Sequence, residues 1–363
     1  MKRDSIKVCY ILAYYFPQYV RTKVLLDAFE QLEHTTVYTA VNRRMGLLKY
    51  IEVFLKLIKI RLSKKPDIYI LGFRGYEHFW IIKLLTLGKP LVYDHMMSPY
   101  DSLVFEKRTV KEKSALAKII HRYEQSLLNS ATITLTDSTL HSQFLGETFT
   151  VSQNKFVDIP VGADEIKFFP MGAEKPESIS EKLSILFYGS FLPLHGVPLI
   201  LEVAKRVQDL PITFDMIGGN RLNLDWFFDD IKKHGLKNVS HTSWVDYDLL
   251  PQRIGMANLC IGGPLGNTGQ SSRIITGKTY QFLAMGKPTI VGDVQLAHPF
   301  VNQTNCLLIP QGNRDALEAA IRWAFEHQSQ LPQIGENGRK IFQAHFSTKH
   351  ISQRLDTLLQ KLV

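Results

Sequence analysis

The sequence predicts an α/β protein made of two doubly wound parallel-sheet units in tandem. Three observations predict it. Short apolar runs of strand length alternate with stretches of helical spacing through residues 7–161, and the same alternation starts again at residue 184. Between the two series, residues 162–182 lose periodicity and gather Pro170, Gly172, Pro176 and several acidic residues, the composition of a linker. A chain of 363 residues is long for one core and comfortable for two. The expected division is 1–165, a linker 166–182, a second unit 183–345 and a closing helix 346–363, for which a return to the first unit is left open.

The elements follow in order. Residues 7–14 read as a buried strand, and 24–32 carry helical spacing. The loop joining them contains no glycine, which argues against a dinucleotide-type turn, because pyrophosphate needs small residues where the backbone approaches it. Over 43–65 the pattern is amphipathic. Leu47, Leu48, Ile51, Phe54, Leu55, Ile58 and Leu62 share one helical face, and Lys49, Glu52, Lys56 and Lys59 share another. Two placements are open: the apolar face packs in the core with the basic face solvated, or the basic rim of Lys49, Lys56 and Lys59 also lies on an anionic membrane surface. Strands are expected at 67–73, 90–95, 132–136 and 156–161, with helices such as 79–87 and 113–129. Asp94 and His95 end one strand and Asp137 another; ligands gather at the carboxyl ends of parallel strands, so these three are candidates, with a structural role as the alternative.

In the second unit, strands are expected at 184–188, 212–217, 239–244, 259–262, 289–291 and 307–309. Helices are expected at 197–208, 224–234, 248–256, 277–285 and 315–326, and 346–362 read as a last amphipathic helix. The strongest functional signal is residues 266–293. A short helix there stops at Gly286-Lys287-Pro288, yet Arg273 stands just before its start and Lys278 lies in its first turn. A helix amino terminus is already positive, so two added cations are unfavourable unless an anion is bound. Unpaired N–H groups with Arg and Lys suit a diphosphate; the alternative is that both side chains simply point into water. A weaker turn of the same kind, Gly189 to Gly196, leaves the first strand of this unit and enters a helix with Pro198 in its first turn.

Composition limits the function classes. With 45% hydrophobic and 21% charged residues the chain reads as globular, with no apolar run long enough to span a bilayer and no secretory signal. Cys9, Cys260 and Cys306 sit among apolar residues without pairing rhythm, which points to a reducing, cytoplasmic setting. The net charge of +9 is concentrated in residues 1–160, which hold 23 Lys and Arg against 15 Asp and Glu. The basic helix lacks interleaved aromatics and no recognition motif accompanies it, so nucleic acid is not an expected partner. The twelve histidines show no metal-ligand spacing, and no metal is expected.

The order of parts resembles the GT-B fold glycosyltransferases, most closely family 4 of the retaining enzymes (glycosyltransferase group 1). The residues that carry it are Ile159 to Asp164 leading to Phe168 or Phe169, Leu186 to Ser190 with His195-Gly196-Val197, Met216 to Gly219, Leu250-Pro251 with Ala257 to Leu259, and Lys278 to Pro288. The LAMGKP run at 283–288 is the most specific. The resemblance implies transfer of a sugar, with retention at the anomeric carbon, from a UDP- or GDP-type nucleotide-diphosphate sugar to an acceptor hydroxyl. It implies no cofactor beyond that co-substrate. It gives the first unit the acceptor, a glycan, glycolipid or lipid-carrier-linked sugar, and the second unit the nucleotide sugar.

Family members carry two glutamates separated by seven residues in the segment matching 266–281; in this chain those positions are Arg273 and Gln281. The usual Arg and Lys of the first phosphate loop are Ser190 and His195. The resemblance thus implies that Arg273 and Lys278 take the diphosphate, with Gly189, Ser190, His195, Gly196 and Ser272 adding contacts. Gln281 would meet the ribose and Trp244 and Val245 the base, although Trp244 can equally be core. His95 falls near the family's active-site histidine, with Asp94 and Asp137 on the acceptor side. Two other readings stay open: a nucleotide-sugar epimerase of the same shape, and a catalytically degenerate partner subunit.

Overall fold

The computed structural model describes residues 5–171, 182–219, 224–294 and 299–363, so the expected linker lies largely outside the described residues. The chain forms two compact units, Met1–Gly162 with Thr348–Val363, and Ala163–Ser347.

The first unit runs β1 (Ile6–Leu12), α1 (Val20–Glu30), β2 (Thr35–Val41), α2 (Leu48–Lys64), β3 (Ile68–Leu71), α3 (Phe79–Leu85), β4 (Leu91–Asp94), α4 (Ala115–Ser130), β5 (Ile133–Thr136), α5 (Thr139–Phe149) and β6 (Phe156–Asp158). Its strands form one parallel sheet in the order β2-β1-β3-β4-β5-β6. The two-residue period of β1 sends Val8, Tyr10 and Leu12 into the core on the α1 side, and Cys9 and Ile11 into the core shared with α2, α3, α4 and α5. Strand β2 and helix α5 escape the sequence reading. At the sheet edge β2 is mostly half-exposed, so threonines stand where an apolar run would be.

The second unit runs β7 (Leu183–Gly189), α6 (Val197–Arg206), β8 (Ile212–Gly218), α7 (Asp225–His234), β9 (Val239–Thr242), α8 (Leu250–Met256), β10 (Leu259–Ile261), α9 (Gly277–Ala284), β11 (Thr289–Asp293), β12 (Leu307–Pro310), α10 (Arg314–Glu326) and α11 (Leu331–His345). Its parallel sheet has the order β12-β11-β10-β7-β8-β9. Helix α11 is unanticipated, because Gly335 and Gly338 weaken its helical signal. Gly335 has a packing reason: a Cβ there would run into the carbonyl of Gly286, just past α9. The last helix, α12 (Thr348–Leu362), packs on α1 in the first unit through Ile351, Leu355, Leu358 and Leu359.

Helix α2 corrects the expected core placement of its apolar stripe. Only Val53 and Leu57 of this helix are buried, and the apolar stripe expected in the core faces outward instead, with Leu47 80%, Leu62 72% and Leu55 64% exposed. Two of its cations, Lys49 and Lys56, turn toward the protein. Lys56 donates to the Val41 carbonyl (2.7 Å) and Glu52 (2.6 Å), and Lys49 lies 3.9 Å from Glu77 and over the Tyr50 ring. Glu52 also accepts the backbone N–H groups of Arg43 and Arg44. These local polar contacts fix the helix rotation against the sheet edge, so of the three expected lipid-facing lysines only Lys59 is exposed.

Arg21 is wholly buried in the first unit. It pairs with Asp94 at 2.9 Å and donates to the carbonyls of Ile159 and Pro160 at 2.7 Å each. The guanidinium joins α1, the end of β4 and the segment after β6. Removing one partner leaves the other charge enclosed, so Arg21→Ala is expected to destabilise the first unit by about 3–5 kcal/mol. Urea denaturation would check it, and a loss below about 1 kcal/mol would contradict a structural role for the pair.

Candidate functional site

In the second unit the strand order reverses between β10 and β7, and in a doubly wound sheet the loops leaving the carboxyl ends of such neighbours part to form a crevice. The two loops are 190–196, entering α6, and 262–276, entering α9. They rest on one another: the Gly266 N–H donates to the Leu194 carbonyl at 2.9 Å. A Cβ on Gly196, whose φ is +66°, would stand 2.9 Å from the Gly266 nitrogen, and one on Gly266 would meet the Pro193 carbonyl. Gly196 therefore serves the contact between the loops. Gly189 leaves room for the His195 ring, which lies 3.0 Å from where its Cβ would be. Ser271 braces the second loop, its hydroxyl donating to the Gly266 carbonyl at 2.7 Å while Gln311 holds its own carbonyl.

Lys278, in the first turn of α9, is enclosed. Its Nζ lies 4.7 Å from the centre of the Phe187 ring, and among the described residues no carboxylate or carbonyl meets it. Burial alone pushes its pKa down to about 7. The helix start around it is open to an anion. Thr276, the capping residue, turns its hydroxyl to the Gly262 carbonyl (2.6 Å) and Thr279 (2.9 Å) instead of to the helix N–H groups. No acidic side chain occupies the first turn, and nothing lies within 4 Å of where a Cβ on Gly277 would stand. His195 contributes a third element. Burial, and then the charge of Lys278, hold its ring well below the usual imidazole pKa, so it is neutral, and its enclosed Nδ1 has no partner. A buried lysine, a helix amino terminus without a side-chain cap and a neutral imidazole thus belong to one edge of the sheet. Together they can receive a polyanion.

The other expected residues are placed less uniformly. Arg273 is half-buried in the turn Ser271–Arg273, its guanidinium against Gly269. Ser272 is exposed and bonded to the Gly269 carbonyl at 2.9 Å, and Ser190 is exposed. Gln281 is buried on α9 close to Tyr247, whose ring also meets Phe168 edge-on. Trp244 is not core: it is 57% exposed beyond β9, its Nε1 on Asp246, and with Val245, Leu249 and Arg253 it lines a shallow surface pocket. Phe187 and Tyr247 are missed by the sequence reading, since an apolar strand residue and a loop tyrosine carry no signal until Lys278 and Gln281 are placed against them.

In the first unit the three candidates end strands as expected, but each is already engaged. Asp94 is held by Arg21. His95 is enclosed with Nε2 2.9 Å from Glu124 and Nδ1 without a partner, and Asp137 meets His141 Nδ1 at 2.7 Å. The His95 and His141 rings lie 6.4 Å apart. Among the described residues no group of three His, Cys, Asp or Glu side chains could hold a metal ion, and no helix is long and apolar enough to cross a membrane.

Residues 182–327, which carry this crevice, match the glycosyl transferases group 1 family. The match is confined to the second unit. A curated relative, the Bacillus subtilis protein named "Putative glycosyltransferase YtcC", is 24% identical over 206 residues. That match takes in 52% of this chain and 48% of the relative, so the chain spans about half the length of the curated relative it matches. Solved structures give the fold of the whole chain. Sucrose-phosphate synthase from Thermosynechococcus elongatus superposes with a TM-score of 0.71 at 15% identity, over 98% of this chain and 99% of that one. HepE of Anabaena, in complex with UDP and glucose, gives 0.70 at 15% identity over 98% and 100%. The two units therefore have the two six-stranded parallel sheets of the GT-B fold.

Proposed function

We propose that the protein is a retaining glycosyltransferase that moves a sugar from a nucleotide-diphosphate sugar to an acceptor hydroxyl. The observation that carries this reading is Lys278, a buried lysine without a counter-ion at an open helix start beside the unpartnered Nδ1 of His195. As the sugar leaves it becomes oxocarbenium-like, and negative charge builds on the departing diphosphate. Lys278 and the first N–H groups of α9 meet that charge, and His195, in its Nδ1–H tautomer, adds a neutral donor. The bound diphosphate keeps Lys278 charged despite its burial. The departing phosphate itself takes the acceptor proton, so a strong protein base is not required. Gln281 or Tyr247 meets the ribose, and Trp244 offers an exposed ring for the base.

The UDP and glucose bound by Anabaena HepE, which shares the fold, support a nucleotide sugar as donor. We assign the acceptor to the first unit, and take it to be a glycan, a glycolipid or a lipid-carrier-linked sugar made in polysaccharide or glycolipid biosynthesis, with peripheral contact with an anionic membrane surface. The test is purified protein with radiolabelled UDP- and GDP-sugars. Nucleotide binding with slow sugar hydrolysis in the absence of acceptor is expected. An altered sugar nucleotide released without acceptor would replace the reading by an epimerase, and absence of any nucleotide binding would remove both.

A further inference from the structure

Three helices on one side of the first sheet present apolar side chains to solvent. Helix α2 gives Leu47, Leu48, Ile51, Leu55, Ile58 and Leu62, all exposed. Helix α3 adds Trp80, Ile81, Leu84 and the following Leu87, and α4 adds Leu116, Ile119 and Tyr123. All three helices bury their opposite faces in the same core, through Val53 and Leu57, Phe79 and Ile82, and Leu127 and Leu128. They therefore lie side by side. Arg61 ties the end of α2 to the carbonyls of Leu85 and Leu87, and Tyr123 ties α4 to the Tyr76 carbonyl ahead of α3. Scattered exposed leucines are ordinary; an apolar tract running across three neighbouring helices is not.

The charges around it choose the occupant. Exposed cations border the tract on each element: Arg43 and Arg44 before α2, Lys59 and Lys64 within it, Lys89 after α3, and Lys118 and Arg122 on α4. The loop before α4 adds Lys107, Arg108, Lys111 and Lys113. Exposed acids on the same stretches are Glu112 and Glu77, and Glu77 is engaged by Arg74. Two copies of this face would bring like charges together, whereas anionic headgroups would neutralise them while acyl chains cover the leucines.

We propose that this α2–α3–α4 face docks the protein on an anionic lipid bilayer, with the leucine stripe of α2 entering the headgroup–acyl boundary. The inference rests on the proposed membrane-borne acceptor and names the surface that delivers the enzyme to it. It also reverses the polarity expected from the sequence, because the apolar side of α2 meets lipid and its Lys49 and Lys56 do not.

The test is sedimentation of the full chain with vesicles of phosphatidylcholine alone and of phosphatidylcholine mixed with phosphatidylglycerol, at low and high salt. Binding to the anionic vesicles that weakens with salt is expected. The pair Leu55→Glu and Leu62→Glu should reduce it at least about tenfold. Both positions are exposed, so circular dichroism and UDP titration should be unchanged in the variant. Wild type that ignores both vesicles, or a variant that binds as well as wild type, overturns the proposal, as does a wild-type dimer that the variant dissociates. Vesicle binding without UDP binding would leave this surface standing and remove the transferase reading; the opposite pair of results would do the reverse.

Discussion

Lys278→Met lowers turnover by about 10²–10³-fold, whereas Gln281→Ala costs much less; this is the expected outcome of a steady-state comparison on a nucleotide sugar. The magnitude is that of removing one fixed donor to charge that grows in the transition state. Methionine keeps the unbranched stem against Phe187 and removes the charge, so the loss reports electrostatics rather than packing. Gln281 is a neutral amide beside Tyr247, and on the proposed reading its removal takes away ground-state binding to the ribose. Equal and small effects would make α9 a core helix only.

The same substitution should make the protein more stable. Lys278 has a folded pKa of about 7 against an ordinary 10.5, so the unfolded chain binds its proton over a range where the folded one does not. Below about pH 7 the penalty of burying the charge is fully present; as pH rises from 7 to 10.5 stability increases and the penalty disappears. Lys278→Met removes it, and after the lost contact with Phe187 is allowed for the gain is about 2–4 kcal/mol at about pH 7. Urea denaturation at about pH 7 and about pH 10 checks both parts: a large gain at the first that shrinks at the second. A destabilised variant would show that Lys278 is held by contacts stronger than that with the Phe187 ring. Gain of stability with loss of turnover is what a buried charge kept for a ligand predicts.

Much of this was legible in the sequence because buried parallel strands read as apolar runs. The strand ends at Gly189, Asp94 and Thr136, and the helix start at Gly277, are set by local patterns of one or two turns. Edge strand β2 was not legible, since an edge needs no apolar run. Helix α11 was hidden by glycines that serve a neighbour's backbone. Rotation of α2 was the largest miss: periodicity identifies an amphipathic helix but not which face turns inward, and that was decided by Glu52 capturing the Arg43 and Arg44 N–H groups and by Lys56 reaching Val41. At the site, the charge anomaly at Lys278 was visible, while its burial against Phe187 and the unpartnered Nδ1 of His195 required the packed loops.

The most direct measurement is calorimetric titration of wild type and Lys278→Met with an intact nucleotide sugar, whose diphosphate has no proton to lose near neutrality. In wild type the affinity should hold below about pH 7 and weaken as pH rises above it, because the free lysine there is neutral and binding must recapture its proton. The variant should bind weakly with no such dependence. Equal affinity in both proteins across this range would contradict a diphosphate held by Lys278.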